Sequence, residues 1–102
     1  MSVSLQVMYP IGEDTQFDYD YYFSTHMEVV GQHMGPHIER TLVTKGIAGG
    51  PDTAPSIYAI ATIVFPDQAA MGAAMKVSDP VMADIPNFTN VTPQILIGEV
   101  VG

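Results

Sequence analysis

Cysteine and tryptophan are absent from this sequence, and basic residues are scarce. Without cysteine, the chain cannot form disulfides, use a catalytic thiol, or hold zinc or an iron–sulfur cluster with cysteine ligands. Arg40, Lys45 and Lys76 are its only arginine and lysines, against 11 aspartates and glutamates, so the formal net charge is −8. Because such a chain repels phosphate groups, we expect neither nucleic acid nor an anionic membrane as a partner.

Long hydrophobic runs and the motifs of cofactor-binding proteins are also absent. The longest apolar run, residues 57–65, contains Thr62 and is too short to span a bilayer, and residues 1–5 lack the basic and apolar regions of a signal peptide. There is no Gly-x-Gly-x-x-Gly, Walker loop or Gly-x-Ser-x-Gly. At 102 residues, the chain has room for one core. We expect one cytoplasmic domain, residues 1–102, without a cofactor or a membrane contact.

Charge is sparse for so small a domain. Hydrophobic residues make up 47% of the chain and charged residues 14%, whereas soluble domains usually carry about a quarter charged residues. A domain of this size exposes much of its surface. The composition therefore indicates that part of the surface is covered, most simply by a second copy of the chain.

Hydrophobic periodicity predicts four strands and two main helices. In chain order the predicted elements are a strand at 3–9, a helix at 19–33, strands at 38–46 and 57–65, a helix at 68–77, a short turn or helical piece at 80–83, an extended segment at 84–91 and a strand at 92–101. Asp18 and Asp67 are suited to cap the two helices. The order βαββαβ is typical of the α+β ferredoxin-like plait, a four-stranded antiparallel sheet with both helices on one face.

The third predicted strand is apolar on both of its faces. One face carries Ile57, Ala59, Ala61, Ile63 and Phe65, and the other carries Tyr58, Ile60, Thr62 and Val64. Helices cover only one face of such a sheet, so a second sheet should cover the other. We therefore expect a homodimer packed sheet against sheet. The alternative is a monomer that tolerates an exposed apolar face.

Histidine is the side chain best suited to acid–base chemistry near neutral pH. His26 and Tyr22 are four residues apart and share one face of the first predicted helix, which makes them a candidate catalytic pair. The structural alternative is a histidine that is hydrogen-bonded in the core or lies on the surface. His33 falls seven residues after His26, on roughly the same stripe, but the spacing of His26, His33 and His37 matches no known ligand pattern. We expect no metal site.

Aromatic and small residues indicate where a pocket would form. The aromatic run at 17–23 suits the wall of a partly polar pocket, although packing of the helix on the sheet accounts for some of these rings. The second predicted helix has Met71 and Met75 as its bulky residues, and the rest of its apolar surface is small: Ala69, Ala70, Gly72, Ala73 and Ala74. Small residues leave space and methionine adapts to irregular shapes. Close packing of this helix on the sheet would produce the same pattern.

Motifs along most of the chain match one family pattern. They are Tyr9-Pro10 at the end of the first strand, Phe17-Asp18, Tyr21-Tyr22 and His26 at the first helix, Lys45-Gly46, the strand at 58–65, and Asp-Ile-Pro-Asn-Phe-Thr-Asn at 84–90. In these motifs the chain resembles the EthD family, small proteins named after ethyl tert-butyl ether degradation. The resemblance implies a dimeric α+β barrel, in which two ferredoxin-like sheets pack together with the helices outside.

The resemblance also implies a site. It makes His26 face a cleft between the helices and the sheet, with residues 84–89 along the rim. Relatives in the wider superfamily include muconolactone-type isomerases, polyketide cyclases and cofactor-independent monooxygenases, and family naming points to an oxidoreductase.

We therefore expect a protein that binds a small, mostly apolar or aromatic ligand under the first helix. His26 would shuttle a proton or donate a hydrogen bond, and Tyr22 would orient the ligand. The predicted ligand contacts are Tyr9, Phe17, Asp84, Asn87 and Phe88. Proton transfer next to a carbonyl suits these groups better than hydride transfer. The alternatives are a non-catalytic accessory or carrier subunit of an oxidative degradation pathway, and a structural dimer without a ligand site.

Overall fold

Four antiparallel strands form a single sheet. The structure is a computed structural model that describes residues 1–102. The strands are β1 (Val3–Pro10), β2 (Arg40–Lys45), β3 (Ile57–Phe65) and β4 (Gln94–Glu99), in the spatial order β2-β3-β1-β4. Each neighbouring pair is antiparallel, and the helices lie on one face. The predicted ferredoxin-like α+β fold is confirmed.

The helices on that face belong to two stretches of the chain. The first helix, residues 19–34, comprises α1 (Tyr19–Tyr21), a π-helical turn (Tyr22–His26) and α2 (Met27–Met34), and a 3-10 turn (Gly35–His37) follows it. The second stretch comprises α3 (Gln68–Lys76), α4 (Asp79–Asp84) and a 3-10 turn (Ile85–Asn87). No helix in the structure combines the length and the apolar character that crossing a membrane requires.

Both predicted helix caps are present. The Asp18 carboxylate accepts a hydrogen bond from the Tyr21 amide at 3.1 Å, and the Asp67 carboxylate accepts one from the Ala70 amide at 2.8 Å. Each bond satisfies a backbone donor that the first helical turn leaves unpaired. The caps fix where the chain enters each helix.

Two local predictions were wrong. The helix at residues 19–33 was expected to be α-helical throughout, but it widens into the π-helical turn, where the Met27 amide bonds to the Tyr22 carbonyl. The segment 84–91 was expected to be extended, but Asp84 ends α4 and a 3-10 turn follows. Pro86 lies in the first positions of that turn, where proline is tolerated because the missing N–H has no helical partner.

The core lies between the sheet and the helices, in two groups. A mainly aliphatic group contains Val3, Leu5, Val30, Met34, Ile63, Phe65, Ala74 and Val81. A mainly aromatic group, near the other end of the sheet, contains Tyr9, Tyr22, Ala59, Ile85, Phe88 and Val91. Alternate residues of β1 and β3 supply both groups, because side chains on one face of a strand recur every second residue.

The opposite face of the sheet, here called the open face, has no helix over it. The strand register places on it Ser4, Gln6, Met8, Arg40, Leu42, Thr44, Ile60, Thr62, Val64, Gln94, Leu96 and Gly98. At its centre the Gln6 amide donates a hydrogen bond to the Thr62 hydroxyl at 3.2 Å. Leu42 and Leu96 are 61% and 54% exposed. The open face is therefore mixed in character, with apolar side chains around a polar pair.

Glycine is required where β2 turns toward β3. The Gly46 amide donates to the Tyr58 carbonyl at 2.8 Å, and a Cβ at position 46 would collide with the backbone oxygen of Ile57. We predict that Gly46→Ala lowers the free energy of unfolding by about 1–3 kcal/mol, because the backbone must shift to admit the methyl group. Chemical denaturation measures the difference.

The matched control is Gly72→Ala, in α3. A Cβ there meets no atom within 4 Å, and alanine is favoured over glycine inside a helix by about 1 kcal/mol. Gly72→Ala should therefore raise the free energy of unfolding. Equal effects of the two substitutions would contradict the close approach at Gly46.

Candidate functional site

An apolar cavity of about 50 Å³ lies between the first helix, the sheet and α4. Thirteen of its 15 lining residues are hydrophobic. The lining consists of Leu5, Val7, Tyr9, Tyr22, His26, Met27, Val30, Met34, Ala61, Ile63, Met75, Ser78, Val81, Met82 and Ile85. His26 is the only ionisable nitrogen among them, so any acid–base chemistry in the cavity centres on its imidazole.

His26 ends the π-helical turn and is 3% exposed. Its ring lies between those of Tyr22 and Phe88, with centroid distances of 5.6 and 4.5 Å. Nδ1 is 2.9 Å from the Asp84 carboxylate, and Nε2 makes no hydrogen bond to another protein atom. A carboxylate accepts at that contact, so Nδ1 carries the proton and the neutral ring keeps Nε2 as an acceptor.

The Asp84 carboxylate holds several groups at once. At the end of α4, it accepts hydrogen bonds from the Tyr21 hydroxyl at 2.6 Å and from the Asn87 amide at 2.9 Å, in addition to His26. Two of these donors lie on the first helix and one on the 3-10 turn. The carboxylate therefore fixes the imidazole orientation and also ties α4 to the first helix.

Burial and hydrogen bonding set the protonation states of this group. Desolvation lowers the pKa of His26 below 6.5, although its hydrogen bond to Asp84 and the Asp84 charge oppose the shift. For Asp84, desolvation raises the pKa, but the hydrogen bonds from Tyr21, Asn87 and His26 outweigh it and lower the pKa below 3.8. At neutral pH the pair is therefore an aspartate anion beside a neutral imidazole, which can act as a base.

Tyr22 is the second polar group of interest in the cavity wall. Its side chain is fully buried, and its hydroxyl has no hydrogen-bond partner. Burial raises the pKa of Tyr22 to about 12, so the phenol keeps its proton at neutral pH. Burial also raises the pKa of Tyr9, which lines the same cavity. The cavity therefore offers a phenolic donor as well as an imidazole acceptor.

The structure divides the predicted site residues between two places. Tyr9, Tyr22 and His26 line the cavity. Phe17, Asn87 and Phe88 instead line an open surface groove of about 360 Å³, together with Gln16, Asp18, Pro86, Thr89 and Asn90. Asp84 lines neither, and it contacts the cavity only through His26.

His33 does not share the environment of His26. The sequence placed them on one stripe, but His33 is exposed and His26 is buried. Phe88 and Asp84 pack against the flank of the helix that carries His26, and His33, nearer the end of that helix, has no such cover. No group of three or more histidine, aspartate or glutamate side chains is placed to hold a metal ion.

Several residues of the site were not identified from the sequence. They are Tyr21, which donates to Asp84, and Met27, Met34, Ser78 and Met82 of the cavity wall. The methionines on the first helix could have been found from their helical spacing. Tyr21 could not, because its partner is 63 residues away in the sequence.

Comparisons with known proteins agree on one family. The family model described as the EthD domain matches residues 12–92. An EthD-like protein from Ralstonia eutropha JMP134 is 31% identical, with a TM-score of 0.89 over 99% of this chain and 93% of that one. The comparison with curated proteins gave no significant match.

Two further solved structures share the fold at lower identity. An ethyl tert-butyl ether d (EthD) family protein from Bacillus halodurans C-125 is 22% identical, with a TM-score of 0.78 over 99% of this chain and 100% of that one. SnoaB, a cofactor-independent oxygenase from Streptomyces nogalater, is 10% identical, with a TM-score of 0.64 over 99% of this chain and 94% of that one. The sequence match over residues 12–92 and the similarity of the whole fold lead to one conclusion: this chain belongs to the EthD family.

Proposed function

We propose that this protein binds a small, mostly apolar or aromatic compound in its cavity and transfers a proton to or from it through His26. The observation that carries the proposal is the 2.9 Å contact between His26 Nδ1 and Asp84, which leaves Nε2 of a cavity-lining imidazole without a protein partner. The 13 hydrophobic lining residues supply the affinity for an apolar ligand.

The proposed reaction begins with removal of a proton next to a carbonyl group. Nε2 of His26 accepts the proton, and the electron pair stays on the ligand, delocalised onto the carbonyl oxygen. Asp84 stabilises the imidazolium that forms, since it already accepts the hydrogen bond from Nδ1. Return of the proton to a different carbon completes an isomerisation. In a cyclisation the carbanion attacks a second carbonyl of the ligand, and the alkoxide that forms takes the proton back from His26.

The alternative reaction is an oxidation that begins with the same removal of a proton. SnoaB, which shares this fold, is described as a cofactor-independent oxygenase. The carbanion left by proton removal is an electron donor, and dioxygen is the acceptor that would turn the first step into an oxygenation. In either reaction the role of this chain is the same, namely to bind the compound and take its proton.

We further propose that the protein is a homodimer in which two open faces pack together. The open face carries Met8, Leu42, Ile60 and Leu96 but none of the 11 acidic residues, so its contact with a second open face brings no two carboxylates together. A protein from Bacteroides fragilis that shares the fold, at 8% identity and a TM-score of 0.59, is described as dimeric.

The role of His26 is tested by His26→Gln, with the exposed His33→Gln as its control. A thermal-shift screen of phenols, lactones and small aromatic acids and ketones first finds compounds that bind. For a compound that the native protein converts, His26→Gln should lower kcat by about 10²-fold or more, since general base catalysis contributes that much, while binding persists. Unchanged turnover in His26→Gln would show that His26 is not the base, whereas binding without conversion of any compound by the native protein would support a carrier or accessory role.

The role of Asp84 is tested by the pH dependence of His26. Nitrogen chemical shifts of the imidazole should show a proton on Nδ1 and a pKa below 6.5, so that kcat/KM rises with pH through that pKa as the neutral base forms. In Asp84→Asn the pKa of His26 should fall further, because the hydrogen bond to Asp84 and the negative charge of Asp84 both raise that pKa in the native protein.

The asparagine amide can also donate to Nδ1, which moves the proton to Nε2 and removes the base. Turnover should therefore fall in Asp84→Asn. The control is Asp79→Asn, an exposed acidic residue at the start of α4, which should leave both the pKa and the tautomer of His26 unchanged. An Nε2-protonated ring in the native protein would contradict the proposed base.

The dimer is tested by Ile60→Glu, on the open face, with the exposed Ala69→Glu of α3 as the control. The native chain and Ala69→Glu should sediment at twice the 11.0 kDa chain mass. Ile60→Glu should sediment as a monomer, because it places two carboxylates in the apolar contact. A native protein that sediments as a monomer at micromolar concentration would refute the dimer.

A further inference from the structure

The Tyr22 hydroxyl is the fully buried polar atom of the cavity wall that receives no hydrogen bond from the chain. Ser78 donates its hydroxyl to the Met75 carbonyl at 2.8 Å, and His26 uses Nδ1 on Asp84. The Tyr22 hydroxyl, in contrast, is buried and has no partner. Burying a hydroxyl without a hydrogen bond costs free energy, and native structures rarely contain one without a reason. A bound ligand with an acceptor atom would satisfy it.

The charges around the cavity restrict what that ligand can be. No lysine or arginine lines it. Lys45 lies 4.4 Å over the Tyr19 ring, Arg40 is on the open face, and Lys76 is exposed on α3. An anionic ligand would therefore lose its hydration without gaining a cationic partner, and the Asp84 anion lies just behind His26.

Two methionines mark the route by which such a ligand can enter the cavity. Met75 on α3 and Met82 on α4 line the cavity, yet they are 40% and 50% exposed. They therefore form the part of the wall between the cavity and the solvent. Because methionine is unbranched and changes conformation easily, displacing these side chains both opens the cavity and enlarges it beyond its present 50 Å³.

We propose, resting on the function proposed above, that the ligand is a neutral compound whose carbonyl oxygen accepts a hydrogen bond from the Tyr22 hydroxyl. The bond polarises the carbonyl and so favours loss of a neighbouring proton to His26 Nε2. Tyr22 is suited to this role because its phenol stays protonated at neutral pH. The cavity selects neutral ketones or lactones and rejects carboxylates of the same size.

The test uses probes that differ in one atom or one charge. Cyclohexanone and acetophenone carry the carbonyl, methylenecyclohexane and α-methylstyrene replace its oxygen with CH₂, and benzoate carries a charge. Methyl signals of Met75 and Met82 report binding by NMR titration. Each ketone should bind about tenfold more tightly than its alkene, which is the effect of one good hydrogen bond. Titration with benzoate should not saturate the binding site. Hydrophobicity alone would favour the alkenes.

The role of Tyr22 is isolated by Tyr22→Phe, with Tyr19→Phe as the matched control. Tyr22→Phe should abolish the preference for ketone over alkene without lowering Tm, since the lost hydroxyl has no partner in the free protein. Tyr19→Phe removes a hydrogen bond to the Tyr58 carbonyl outside the cavity, at 3.1 Å. It should lower Tm slightly and keep the preference.

Three outcomes would overturn the inference alone and leave the proposed function in place. They are equal binding of ketone and alkene by the native protein, binding of benzoate as tight as that of the ketones, and a ketone preference that survives in Tyr22→Phe. If no probe of any class shifts the signals of Met75 and Met82, the proposal that this cavity binds small molecules fails as well.

Discussion

The carboxylate of Asp84 connects the two stretches of chain that form the helical layer. It receives hydrogen bonds from Tyr21 and His26 of the first helix and from Asn87 of the 3-10 turn after α4. The contacts from Tyr21 and His26 join positions about 60 residues apart. All three contacts involve an ionised acceptor, which makes each stronger than a bond between neutral groups. Without them the first helix and α4 would meet mainly through apolar side chains, which specify no single orientation.

The same contacts give the site its chemistry. Because Asp84 is held as an anion by three donors, it keeps the proton of His26 on Nδ1. Burial among aromatic rings then keeps the imidazole neutral, so that Nε2 is a base at physiological pH. The packing of the helices and the proposed acid–base function therefore both depend on Asp84.

The cavity is lined by aromatic rings on one side and by methionine side chains on the other. Tyr9 and Tyr22 line one side, and Phe88 packs against both rings and against His26 from outside the cavity, with the rings of Tyr9, Tyr22 and Phe88 edge to face or tilted at centroid distances of 5.1–5.6 Å. Met75 and Met82 form the other side and are partly exposed to solvent. In the proposed function the aromatic rings would position the reacting groups, and the flexible thioethers would admit ligands of different shape. The open face of the sheet takes no part in this site.

The sequence by itself determined the order of elements, because strand alternation and helix capping are local signals. The predicted bounds of β3, Ile57–Phe65, are those of the structure, and Asp18 and Asp67 cap the helices as expected. At β2 the strand is shorter than the predicted 38–46, since its ends depend on pairing with β3. His26 and Tyr22 were identified as a pair from their spacing alone.

Only the tertiary structure decided how the site is assembled. It paired His26 with Asp84, it placed Tyr9, Tyr22 and His26 in the wall of the cavity and Phe17, Asn87 and Phe88 in the wall of the surface groove, and it left the Tyr22 hydroxyl without a partner. The π-helical turn that carries Tyr22 and His26 also has no signature in the local sequence. Each of these features depends on how α4 and the first helix lie across the sheet, and contacts between residues so distant in the chain exist only once the helices have packed.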